Sequence, residues 1–135
     1  MNNLVIIDTN VLVSGLLNPN GKPAVIIRMM ITNFLRIVLD NRIFQEYWVV
    51  LSRTKFQFSP DDIEPLLSFF KTNGLWILPP PMLLHLPDPS DLPFIELAHH
   101  THAPVITGNR KHFPDDIIVM TPSEFLQQKS MNNTK

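Results

Sequence analysis

No cysteine occurs anywhere in the 135 residues. That absence removes a disulfide framework, a thiolate nucleophile and any cysteine-ligated zinc site. Glycine is nearly as scarce: the four, at 15, 21, 74 and 108, form neither a GxGxxG fingerprint nor a phosphate-binding P-loop. Charge is sparse and balanced, 11 basic against 12 acidic residues for a net charge of −1, which argues against a general nucleic-acid coat but leaves room for a local basic patch. No apolar run approaches the roughly 20 residues of a membrane span. Met1-Asn2-Asn3 lacks the basic start of a secretory signal. The expectation is a cytoplasmic domain with no membrane association. Hydrophobic content of 44% with 17% charged residues is that of a globular chain, long enough for one compact core and too short for two.

What is present is an alternation of short β-branched runs with longer amphipathic segments, and no internal repeat. Residues 4–7, Leu-Val-Ile-Ile, read as a strand buried on both faces. It runs into Asp8, behind which Thr9 and Asn10 can turn the chain and cap the next helix. Taken alone, Asp8 is equally well a site acid or a simple helix cap. A helix over 11–17 breaks at Asn18-Pro19-Asn20-Gly21, and Pro23 begins a second over 24–34. Strand 36–39 leads to Asp40, the cap of a helix over 41–53 that carries Ile43, Tyr47, Val50 and Leu51 on one face, with Glu46 near it.

Ser59-Pro60-Asp61-Asp62 opens a helix to Thr72, and 75–78 forms a third strand. The proline-rich stretch 79–89 is a stiff connection. Pro93 fixes the next helix, because proline is tolerated only in a first turn; Ser90 is the expected cap, Asp91 lies in the first turn and Asp88 just outside. His99, His100 and His102 crowd the far end of that helix, where the negative terminus alone favours them. Strands over 104–107 and 117–120 follow. Thr121-Pro122-Ser123-Glu124 reads as a capping box that opens a last helix to about Gln128. The expected organisation is one domain over 1–128 and a polar tail over 129–135.

Such an alternation predicts an α/β fold with a mostly parallel sheet of about five strands and helices on both faces. Every strand-to-helix connection then lies on one sheet edge, and Asp8, Glu46, Asp88, Asp91 and Asn109 all fall there. Two carboxylates about 4 Å apart repel by roughly 4 kcal/mol at an effective dielectric near 20, so such a cluster needs a proton or a cation. Hard oxygen ligands select Mg²⁺ or Mn²⁺ over zinc. The reaction that wants this cation and no other nucleophile is hydrolysis or transfer at a phosphodiester. Asp61, Asp62, Glu64, Asp115, Asp116 and Glu124 lie off this edge and read as surface or capping groups. A small phosphatase is the weaker match, since no lysine stands at a strand end.

Four blocks in order resemble the PIN domain, a family whose characterised members are largely metal-dependent ribonucleases. They are Asp8-Thr9-Asn10, the run Glu46 to Arg53, Asp88-Pro89-Ser90-Asp91 with Phe94 and Ala98, and Thr107-Gly108-Asn109 to Pro114. Within the family the chain is most similar to the toxins of bacterial toxin–antitoxin pairs. The resemblance spans about Leu4 to Phe125 and implies a three-layer α/β/α sandwich.

It also implies metal-binding, catalytic places for Asp8, Glu46 and Asp91, with Asp88 as a substitute carboxylate. Asn109 stands where the family often has Asp: it can offer a carbonyl oxygen or hold a water, but it removes one negative charge. Thr9, Asn10 and Thr107 become hydrogen-bonding support. Arg42, Arg53, Lys55, Arg110 and Lys111 flank the blocks as candidate phosphate contacts, each equally well a solvated charge. The implied function is an endoribonuclease in which Mg²⁺ or Mn²⁺ activates the attacking water, leaving a 5′-phosphate and a 3′-hydroxyl. A cognate antitoxin would restrain it, and homodimers are common in the family. The rival is a non-catalytic PIN-like domain that binds RNA or protein.

Overall fold

The structure, a computed structural model, describes residues 3–132. Five parallel strands, β1 (Leu4–Ile7), β2 (Arg36–Leu39), β3 (Leu75–Trp76), β4 (Val105–Ile106) and β5 (Val119–Met120), form one sheet in the order β3-β2-β1-β4-β5. β1 is central, and Val5, Ile6 and Ile7 are buried, as a strand covered on both faces requires. The chain builds outward from β1 to β3, then crosses back to pair β4 on the other side of β1. The connections after β1 and β4 therefore diverge, which opens a crevice at the carboxyl edge of the sheet.

Among the described residues six α-helices cover the sheet: α1 (Thr9–Leu17), α2 (Lys22–Ile31), α3 (Asn41–Leu51), α4 (Pro60–Asn73), α5 (Leu92–Thr101) and α6 (Pro122–Asn132). The result is the expected α/β/α sandwich. α1 packs on α2, α2 on α6, and α3 on α4 and α5. Among the described residues no helix is long and apolar enough to cross a membrane.

Several local signals act as expected. Asp40 accepts the Ile43 amide at 3.0 Å and Ser59 accepts that of Asp61 at 3.1 Å. Thr121 and Glu124 exchange reciprocal bonds of 2.9 and 3.1 Å, the expected capping box. Tyr47 sits on the apolar face of α3 and donates from its hydroxyl to the Ile7 carbonyl at 2.5 Å, tying α3 to the end of β1.

Boundaries differ where tertiary contacts override local signals. α1 begins at Thr9 rather than at residue 11. α2 stops at Ile31 because Asn33 adopts a left-handed φ of 68°, so Phe34 lies outside the helix and is exposed. α3 ends at Leu51, short of Arg53. β3, β4 and β5 are each shorter than expected, although Ile77 still donates to the Leu39 carbonyl at 2.9 Å. α6 continues past Gln128 to Asn132, so the start of the expected tail is helical. Residues 133–135, and Met1-Asn2 at the other end, lie outside the described residues.

The proline-rich connection is pinned by a buried acid. Glu96 on α5 is 3% exposed, accepts Arg42 Nη1 at 2.6 Å and accepts the Met82 amide at 2.8 Å. Arg42 also donates to Asp40 Oδ2 at 2.6 Å. One carboxylate thus joins α5, α3 and the loop between β3 and α5. A buried charge is tolerated when it is paired and hydrogen-bonded in this way.

Gly74, between α4 and β3, is a place of close approach: a Cβ there would lie 2.6 Å from the Phe70 carbonyl oxygen and 2.9 Å from Leu39 Cδ1. Backbone cannot yield as a flexible side chain can. Gly74→Ala is expected to destabilise the fold by about 1–3 kcal/mol, read as a lower urea midpoint with an unchanged m-value. An unaltered midpoint would show that α4 can shift freely against β2.

Candidate active site

A cleft of about 370 Å³ opens at the carboxyl edge of the sheet, and Asp8, Glu46, Asp88 and Asp91 all line it. Three segments far apart in the chain deliver them. Asp8 follows β1 directly, Glu46 projects from α3 after β2, and Asp88 precedes and Asp91 ends the tight helical turn Pro89–Asp91 that leads into α5. Thr9, Asn10, Arg53, Asn109 and His112 also face the cleft.

Asp8 occupies the N-cap position of α1, yet its side chain makes no capping bond. Its Oδ2 instead accepts the Thr107 hydroxyl at 2.7 Å, and Thr107 Oγ1 in turn accepts the Asn109 amide at 3.1 Å. Thr107 is fully buried at the end of β4, so this chain of bonds joins the two diverging strand ends. The open question about Asp8 is thereby answered against a capping role. Thr9 does not cap either: its hydroxyl donates to Glu46 Oε2, which orients that carboxylate from the neighbouring element.

The cap before α5 is also not the expected one. Asp88 rather than Ser90 caps the tight turn Pro89–Asp91 that leads into α5, accepting the Ser90 amide at 3.0 Å and the Ser90 hydroxyl at 2.7 Å, while Asp91, at the start of α5 itself, makes no capping bond. A carboxylate is the better acceptor for an orphan amide at a helix start. Ser90 becomes the donor in the same turn.

These environments push the four acids apart. Burial raises the pKa of Asp8, and the Thr107 hydrogen bond offsets part of that rise. Burial raises Glu46 as well, against the opposing bond from Thr9, with the charges of Asp8 and Asp88 adding to the rise. Asp91 is raised to about 6, chiefly by burial and then by the charges of Asp8 and Asp88. Its Oδ2 is buried without a hydrogen-bond partner. Exposed Asp88 moves the other way, lowered by its bonds to Ser90. Among the described residues no group of three or more His, Cys, Asp or Glu stands ready to hold a metal ion; the acids share a cleft without closing on one point.

The basic candidates divide. Arg53 lines the cleft and its charge acts on Glu46. Lys111 does not line it: it faces a neighbouring cavity with Arg110, Phe113 and Val119. Arg110 is paired with Glu124 at 2.7 Å, Arg42 with Asp40 and Glu96, and Lys55 lies over the Phe56 ring at 5.1 Å. His99, in the last turn of α5, pairs with Asp116 at 2.9 Å. Two polar residues escaped the sequence reading. Glu96 offered no signal, as one acid inside an apolar helix. His112 stood in a quoted block, but nothing in its spacing distinguishes it from a surface histidine.

The family model for the PIN domain matches residues 4–111. No curated protein and no solved structure matches the chain.

The raised pKa of Asp91 carries a stability cost with a defined sign. Between its ordinary value of 3.8 and about 6 the folded state binds more protons than the unfolded one, so this group lowers stability as pH rises through that window. Without metal, Asp91→Asn is therefore expected to stabilise the fold at about pH 8, by on the order of 1 kcal/mol once solvent screening at the cleft is allowed for. The advantage shrinks as pH falls through about 6 and is gone below about 4. Urea melts at the two pH extremes measure it. A variant no more stable than wild type at the higher pH would mean that the cleft does not disfavour the charged form of Asp91.

Proposed function

Because the chain belongs to the PIN-domain family, whose fold is of nuclease type, we propose that it is a metal-dependent endoribonuclease and the toxin partner of a cognate antitoxin protein. The observation that carries the reading is the convergence of Asp8, Glu46, Asp88 and Asp91 in one cleft, delivered by the end of β1, the middle of α3 and the turn that leads into α5. Like charges are brought together at a cost in stability. A counter-charge that arrives with function recovers that cost.

The donor set fits a hard divalent cation such as Mg²⁺ or Mn²⁺: it is all carboxylate and amide oxygen, with no cysteine. The buried Asp91 Oδ2 without a partner is a further fit, since it has no hydrogen bond to give up. Asp8, Glu46 and Asp91 would hold the ion, with Asp88 as a further carboxylate at the rim, and the side chains would need to draw closer to do so. When bound, the cation neutralises the carboxylates, lowers the pKa of a water and offsets charge growing on the phosphate. The protein's own part is positioning. Thr107 and Thr9 orient Asp8 and Glu46, Asn10 and Asn109 offer amide groups to the strand, and Arg53 offers a guanidinium to a phosphate.

One observation favours a different reading, a non-catalytic PIN-like domain that binds RNA or protein. Residue 109 is an amide where a fourth acid is usual in the family, and no ready metal group stands among the described residues.

Two measurements separate the readings. Millimolar Mn²⁺ is expected to raise the melting temperature, by about 2.7 kcal/mol of stabilisation at a hundredfold excess over Kd, and Asp8→Asn should reduce that gain. With Mn²⁺ and no antitoxin, the chain should cleave single-stranded RNA. Asp8→Ala and Asp91→Ala should abolish cleavage, and Glu46→Ala should cost nearly as much. A manganese-insensitive melting curve together with intact RNA selects the non-catalytic reading. Undiminished cleavage by Asp8→Ala would assign the activity to other residues or to a contaminant. For the antitoxin, the product of an adjacent reading frame should co-purify with the chain and suppress cleavage.

A further inference from the structure

We propose that His112 is a substrate-contacting residue of this cleft, its imidazole steered by the Asn109 amide toward a phosphate of bound RNA. The proposal rests on the nuclease reading of the same cleft. The tight turn Arg110–His112 follows Asn109 and sorts its side chains in three directions. Arg110 turns to Glu124, Lys111 faces the neighbouring cavity, and His112, exposed, faces the acids. Buried Phe113 anchors the end of the turn in the core.

Asn109 Nδ2 lies 3.3 and 3.1 Å from the two ring nitrogens of His112. Lying near both nitrogens at once, the amide rests against the ring and holds it in place, and the neutral imidazole carries one N–H donor in either tautomer. Asn109 is itself fixed. Its backbone amide donates to Thr107 Oγ1, and Thr107 donates to Asp8. The group that orients the imidazole is thus tied, through two hydrogen bonds, to the first acid of the cleft.

Charge supplies the reason for such a donor. Four carboxylates line the cleft, and a phosphodiester entering it meets repulsion on that side. Besides Arg53, His112 is the basic side chain facing the cleft among the described residues, and its field acts on Asp8, Asp88 and Asp91. The amide at 109 adds no further negative charge to this lining and holds the imidazole at the cleft.

The test reads RNA binding apart from turnover. Affinity for a short fluorescent single-stranded RNA is measured by anisotropy with Mn²⁺ in an Asp8→Asn background, and cleavage is measured in the wild-type background. His112→Ala should weaken binding about tenfold, the scale of one hydrogen bond to a charged group, and reduce cleavage at least as much. Its melting temperature should stay at the parent value. His112→Gln, which keeps an N–H donor, should recover most of the affinity. If the parent binds RNA and His112→Ala binds it within twofold, the His112 proposal is overturned while the nuclease reading stands. Loss of affinity matched by loss of melting temperature in both variants also overturns it, in favour of a structural role. A parent that binds RNA without cleaving it refutes the nuclease reading alone, and the binding comparison still decides the part played by His112. A parent that neither binds nor cleaves RNA overturns both.

Discussion

The arrangement turns on one desolvated carboxylate at the end of the central strand. β1 has neighbours on both sides and helices above and below, so the residue that follows it emerges where water is already largely excluded. Putting Asp8 there is unfavourable unless its oxygens find donors. The donor comes from β4, the strand on the other side of the switch in sheet order, through the buried Thr107 hydroxyl. The two strand ends are thus joined by a side-chain bond beside the backbone bond from the Asp8 amide to the Ile106 carbonyl. The crevice that the topology opens acquires a hydrogen-bonded floor.

Neighbouring elements are fitted to that floor by further polar contacts rather than by apolar packing alone. Tyr47 reaches the Ile7 carbonyl just before Asp8, and Glu46, the preceding residue on α3, is held by Thr9 just after it. Adjacent residues of one helix thus bracket Asp8 on both sides. α5 is set in turn by Glu96, which grips Arg42 at the start of α3 and the Met82 amide in the proline-rich connection. Asp91, at the start of α5, inherits its place from that grip. The acids are positioned by bonds made behind them, leaving their charge to face the cleft.

Within the cleft the acids are not equivalent, and the inequality has a local cause. Asp88 is solvated and receives two bonds from Ser90, so its ionised form is favoured; Asp91, a single helical turn away, is partly buried with one oxygen unsatisfied, and its ionised form is disfavoured. The positive side chains are sorted just as sharply. Arg42, Arg110 and Lys55 spend themselves on Asp40 and Glu96, on Glu124 and on an aromatic ring. Arg53 and His112 remain turned toward the acids. Such a cleft is poorer in stability than its surroundings, the usual bargain of a preorganised charged site.

The sequence by itself determined the parallel α/β sandwich, the identity of the strands and helices, and the sheet edge on which Asp8, Glu46, Asp88 and Asp91 emerge. Those features rest on local chemistry: β-branched runs, the capping of Asp40, Ser59 and Thr121, and proline in a first helical turn are each legible within a few residues. Tertiary structure decided the rest. That Asp8 leaves α1 uncapped for Thr107, that Asp88 replaces Ser90 as the cap, and that α2 stops before Phe34 all depend on partners or backbone turns that helix periodicity does not report. Which basic residue meets the acids was equally hidden. Lys111 and His112 are adjacent in the chain, yet one tight turn directs them into different cavities. Periodicity and caps act between neighbours in sequence, whereas a hydrogen bond such as Thr107 to Asp8 exists only once the sheet has brought its distant strand ends together.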